Sequence, residues 1–153
     1  MAKNAEVSNL EQHAGYWLRF VSNQVSHAFA RKVEGRGVTV AEWVLLRQML
    51  GAGAANPSQL ADSIGMTRGA VSKLVERLSR KKLVLRSPSD ADRRYQTVEL
   101  TAAGKRLVPI VARLADENDR EFFGHLKPRE KNFLVGLLQD MVRRHGWKDL
   151  PVD

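Results

Sequence analysis

A mainly α chain with one small β-hairpin is the fold class that this 153-residue sequence predicts, on three observations. Several stretches repeat apolar residues at helical spacing behind clear capping residues. Leu83–Ser87 and Tyr95–Leu100 read as two strands joined by PSDADRR, whose Pro, Ser and Asp supply turn chemistry. The charge is also clustered: from Met66 to Arg86, seven cations (Arg68, Lys73, Arg77, Arg80, Lys81, Lys82 and Arg86) accompany a single carboxylate, Glu76.

Taken in order, the first predicted helix runs from about Asn9 to Val33. Leu10, Ala14, Trp17, Val21, Val25 and Ala28 keep helical spacing, and Leu18, Phe20 and Phe29 widen the stripe until it calls for burial against more than one neighbour. An ordinary core helix and a partner chain both satisfy that demand. Gly35 and Gly37 mark a turn. Thr39 and Glu42 then form a capping box, Val38 and Trp43 stand at the positions of a hydrophobic staple, and the second helix reaches Gly51. Asn56, Pro57 and Gln59 have the signature of a third, short helix ending at Gly65, and Thr67 caps a fourth.

On that fourth helix, Val71, Leu74, Val75 and Leu78 make one apolar stripe, so the opposite side presents Arg68, Gly69, Ser72, Lys73, Glu76, Arg77 and Arg80 to solvent. Two short helices around a Gly-containing turn, the second basic on one face and followed by a hairpin, are a winged helix-turn-helix. Thr101 caps a long fifth helix to about Phe123, in which Pro109 is expected to bend rather than end the helix, and Pro128 opens a sixth that runs to Gly146. The expected organisation is a reading unit over residues 38–100 and a helical dimerisation layer over residues 9–34 and 101–146. The terminal helices are too apolar for a monomer of this size to hide, which predicts a twofold homodimer.

Composition narrows the function classes. With no Cys, disulfides, thiolate metal sites and a nucleophilic or redox-sensing thiol are excluded. The start MAKNAEVSNLEQ has no signal-peptide core and no run approaches the roughly 18 apolar residues of a membrane span, so a cytoplasmic protein away from membranes is expected. A net charge of +8 favours a polyanionic partner, and its clustering on one helix points to double-stranded DNA. A slim helix with small residues near its start and cations along its length suits the major groove.

The segments VTVAEWVLLRQM, PSQLADSIGMTRGAVSKLVERLSRKKLV, DADRR and VELTAAGKRL together resemble the MarR family of bacterial transcription regulators, from Val38 to about Arg106. The resemblance implies a dimeric winged-helix repressor or activator that a small aromatic or phenolic ligand releases from its operator. It assigns base reading in the major groove to Thr67, Arg68, Gly69, Ala70, Ser72, Lys73 and Arg77, and the wing contacts to Asp92 and Arg94; Arg93 shares the predicted wing tip with Arg94 and is counted with them from its charge. An arginine in a narrow A·T-rich minor groove gains from its focused negative potential, and Asp92 can orient Arg94. This chain departs from the family pattern in having Gly69 and Ala70 where hydroxyl residues are common, and Lys82 where Gly is usual. For the effector, the aromatic residues able to line the family's pocket are Trp17, Phe20 and Trp43, with Arg19 or His27 as anchors for an acid; each also fits as an ordinary core or surface residue.

An enzyme is not expected, nor a cofactor or metal. Asp90 and Asp92 share their turn with Arg93 and Arg94, which would oppose a cation. His13, His27, His125 and His145 have no ligand spacing, and no nucleophile elbow or phosphate loop is present. The rival readings are a winged helix used only for protein contacts and a nonspecific architectural DNA binder.

Overall fold

A computed structural model of the chain describes residues 7–88 and 96–148. The expected first helix is broken near its start: a 3-10 turn, Leu10–Gln12, is followed by an extended His13 and then by α1, Ala14–Glu34. The Asn9 N–H donates to Gln12 Oε1 within the turn, and the Trp17 indole donates to the Glu11 carbonyl, which ties the turn back onto the first residues of α1. Five further helices and two strands follow: α2, Val40–Met49; α3, Pro57–Ile64; α4, Arg68–Arg80; β1, Val84–Pro88; β2, Gln96–Leu100; α5, Ala102–Phe123; and α6, Pro128–His145. No helix among the described residues is long and apolar enough to cross a membrane.

Capping chemistry sets where the central helices start. At α2 the Thr39 N–H donates to Glu42 Oε2 and the Glu42 N–H to Thr39 Oγ1, the expected reciprocal box. At α3, Asn56 Oδ1 accepts from the Ser58 N–H behind Pro57. Gln59, expected to complete a box there, is instead exposed. Thr67 Oγ1 accepts from the Ala70 N–H to start α4, and Gly65, at φ 66°, makes the left-handed turn between α3 and α4.

The hydrophobic core lies among α2, α3, α4 and the wing. Leu45, Leu46 and Met49 of α2 meet Leu60 and Ala61 of α3, Val71, Leu74, Val75 and Leu78 of α4, and Val84, Val98 and Leu100 of the strands. β1 and β2 pair antiparallel from Val84↔Leu100 to Pro88↔Gln96, and Ala55 adds a bridge through two backbone bonds with Val98. Helix α5 leaves the wing, adds Val108 and Val111 to this core, and continues through Pro109. Further along, Asn118 accepts from Lys32 Nζ and donates to the Val25 carbonyl, which pins α5 to α1 and satisfies a buried amide.

The outer helices differ. None of the residues of α6 is buried, and Phe133 is 67% exposed. On α1, Trp17 and Phe20 are 51% and 56% exposed, and Leu18 and Val21 are open as well.

Candidate nucleic-acid interface

The four buried apolar positions of α4 fix its roll, and that roll decides which side chains face water. Arg68, Gly69, Ser72, Lys73, Glu76, Arg77 and Arg80 are exposed, and Ala70 is half-buried on one flank. Thr67 is exposed too, but its hydroxyl oxygen already serves as the helix cap. Seven of the residues proposed from sequence for DNA contact therefore lie along one helix. The other three, Asp92, Arg93 and Arg94, lie outside the described residues.

The wing is joined to α4 at both ends of the connection. Lys81, Lys82 and Leu83 close the helix: the Lys82 N–H donates to the Ser79 carbonyl and the Leu83 N–H to the Leu78 carbonyl, the two bonds of a Schellman motif. The motif needs a left-handed residue, and Lys82 takes that role at φ 58° where glycine would be cheaper. On β1, Arg86 Nη2 donates to the Ser72 carbonyl at 3.3 Å, a tie between wing and helix that has no signature in the sequence. Thr101 Oγ1 closes the other strand by donating to the carbonyls of Lys82 and Leu83. Gly104 lets α5 begin against that corner, since a Cβ there would stand 2.2 Å from the Leu83 carbonyl oxygen.

A second feature missed from sequence is Glu42. Besides capping α2, its carboxylate is fully buried and receives Lys81 Nζ at 2.7 Å, with Arg77 Nε 3.3 Å away. Lys81 Nζ also donates to the Gly37 carbonyl. Burial pushes the Glu42 pKa up, but the hydrogen bonds from Lys81 and the Thr39 N–H, with the charges of Lys81 and Arg77, outweigh it. The carboxyl is held below its ordinary value and stays ionised. Its partners come 35 and 39 residues later, so no local pattern announces them.

The residues suggested for an effector do not converge within one chain. Trp17, Arg19, Phe20 and His27 are exposed on α1. Trp43 is only 8% exposed and belongs to the hydrophobic core on α2. Among the described residues no cluster of His, Asp or Glu could hold a metal ion.

Comparison with known proteins agrees with this architecture. The MarR family model matches residues 36–94. The transcriptional repressor NicR of Pseudomonas putida is 25% identical over 134 residues, spanning 88% of this chain and 85% of NicR. BpsR of Bordetella bronchiseptica is 27% identical, with a TM-score of 0.77 over 88% of this chain and 96% of its own. A variant of Escherichia coli MarR solved with operator DNA is 22% identical and shares the fold, with a TM-score of 0.75 over 84% of this chain and 92% of that one. With six helices and a two-stranded wing among the described residues, and regulators of this kind matching most of its length, the chain is similar to the MarR family of transcription regulators in sequence over residues 36–94 and in fold throughout.

Proposed function

We propose that the protein is a homodimeric, cytoplasmic repressor that binds a pseudo-palindromic operator, with α4 of each protomer in the major groove and the wing in the adjacent minor groove. The observation that carries this reading is the cation-lined, solvent-facing side of α4 with β1 tied to it through Arg86. Thr67, Arg68, Gly69, Ala70, Ser72, Lys73 and Arg77 supply the helix contacts, and Asp92, Arg93 and Arg94 the wing contacts. Gly69 and Ala70 donate no side-chain hydrogen bond; Ala70 can touch a thymine methyl. Residues 38–100 form the reading domain. Residues 9–34 and 101–146 form the dimerisation layer, whose uncovered apolar faces on α1 and α6 pack against the second copy. A twofold dimer then sets two recognition helices about one helical turn apart.

A small aromatic acid is the proposed effector. DNA binding by BpsR is regulated by 6-hydroxynicotinic acid. Here Trp17 and Phe20 offer an aromatic face on α1, with His27 further along that side or Arg19 from another side of the helix as the acid's anchor, in a site that a partner protomer would complete. A ligand that prefers a dimer geometry with misplaced recognition helices would release DNA.

Selection of bound genomic fragments followed by footprinting tests the reading. A discrete, pseudo-palindromic footprint, with affinity falling steeply between about 50 and 200 mM salt, is expected. Absence of binding to any duplex at low salt would favour a protein-contact module, and protection without sequence boundaries an architectural binder. For the effector, a panel of aromatic acids that changes neither thermal stability nor operator affinity removes the proposal.

A further inference from the structure

We propose that Glu42 is a positioning residue for DNA recognition: its buried carboxylate backs the Arg77 guanidinium and so fixes how that side chain is presented to the bases in the groove. The inference rests on reading α4 as the helix that contacts DNA, and goes further by assigning a role to a residue that cannot touch DNA itself.

The two carboxylate oxygens are used differently. Oε2 is saturated, accepting from the Thr39 N–H at 2.8 Å and from Lys81 Nζ at 2.7 Å. Oε1 is equally buried, makes no hydrogen bond among the described residues, and has Arg77 Nε 3.3 Å away. An ionised oxygen inside a protein needs a donor, because leaving it unpaired costs the full desolvation of that group. Arg77 is the charged donor within reach. Its Nε lies at ion-pair distance without making a hydrogen bond to Oε1, and the Arg77 side chain as a whole remains 47% exposed, so it stays available to a partner in solution. A planar fork paired on its Nε edge with a buried carboxylate can present its other donors to a base edge, and a lysine cannot make both contacts at once.

The position on α4 agrees with this. Arg77 borders a cleft of about 710 Å³ together with Thr67, Ala70 and Lys73, which belong to the proposed reading surface. The carboxylate is itself held from two sides, by the first turn of α2 and by Lys81, whose ammonium also reaches the Gly37 carbonyl. Arg77 is thus referenced to the α1–α2 turn and the start of α2 as well as to its own helix. Among the described residues Lys73 and Arg80 have no such buried counter-charge, and Arg80 pairs with the exposed Glu76.

The test compares Glu42→Gln, Arg77→Lys, Arg77→Gln and the Glu42→Gln/Arg77→Gln double variant by affinity for two duplexes. One is the tightest-binding fragment recovered by genomic selection; the other is the same fragment scrambled. Glu42→Gln keeps an oxygen for the Thr39 N–H but removes the charge, and is expected to lower the ratio of selected to scrambled affinity by about five- to tenfold. Arg77→Lys, which keeps the charge and loses the fork, should lower it by a similar factor. In the Arg77→Gln background, Glu42→Gln should produce no further fall, an outcome that a general loss of fold would not give. A ratio unchanged in Arg77→Lys, or an equal effect of Glu42→Gln with and without Arg77, overturns the inference. Arg77→Lys leaves Glu42 and Lys81 in place, so an unchanged ratio in that variant overturns the inference even if Glu42→Gln does not fold. Wild-type protein that binds no duplex overturns the DNA-binding reading and this inference together; selective wild-type binding with an unchanged Arg77→Lys ratio overturns this inference alone.

Discussion

The winged-helix unit and the terminal helices are built from similarly apolar sequence and treat it in opposite ways. Between Val38 and Leu100 the apolar stripes of α2, α3, α4 and the strands meet one another and close a core. On α1 and α6, side chains as large as Trp17, Phe20 and Phe133 stay in water. The first region closes its core within one chain, with Val33, Val108 and Val111 added from α1 and α5; the second leaves large apolar side chains uncovered, as the proposed dimer requires. On that proposal, the difference separates what the chain needs in order to fold from what it needs in order to place two reading heads at a fixed distance.

The largest effect should come from breaking the complete half. Leu74→Ala empties a buried site on α4 and is expected to lower unfolding free energy by roughly 2 to 5 kcal/mol, read from denaturant titration, with DNA binding lost as a consequence. Breaking the incomplete half should look different. Phe133→Asp puts a charge on the exposed face of α6 and should weaken dimerisation by more than about 2 kcal/mol, visible as monomers in sedimentation. Proton and nitrogen spectra of its winged-helix residues should remain those of a folded protein. Loss of folding with the dimer would mean that the central core is not self-sufficient.

What the sequence made legible follows the same division. The helix starts at Thr39, Asn56, Thr67 and Thr101 were readable because a cap is chemistry within three residues, and the wing because turn residues separate two short apolar runs. The break at His13 was not, since the periodicity of α1 runs straight across it. On α4, the exposed side followed from the stripe of four apolar residues. The Glu42 partners and the Arg86 bond to Ser72 did not, because they join positions between 14 and 39 residues apart and depend on how the helices pack. Trp43 marks a limit of composition: an aromatic side chain suits a ligand pocket or a core equally well, and this one lies in the core.

The junction between the two regions is the corner of Lys82, Leu83 and Gly104, where the reading helix, the wing and α5 meet. Gly104→Ala would drive a methyl group into the Leu83 carbonyl, and a shift of α5 against the wing is the only relief because the obstacle is backbone. A loss of about 1 to 3 kcal/mol is expected in thermal unfolding. A neutral result would show that α5 can move without disturbing the core, which would loosen the link between dimer geometry and reading head.

The smallest effect has the opposite sign. Lys82 pays for a left-handed backbone that a glycine adopts freely, and its own N–H and the Leu83 N–H already make both bonds of the cap. Lys82→Gly keeps those bonds, since they are main-chain, and relieves about 1 kcal/mol of strain, partly offset by the greater freedom of glycine in the unfolded chain. The melting temperature should therefore rise by a few degrees. If Lys82 serves DNA as a cation, duplex affinity at low salt should fall in the same variant while stability rises. Stability and affinity moving apart would show that the lysine is kept at this corner for its charge and not for its fit.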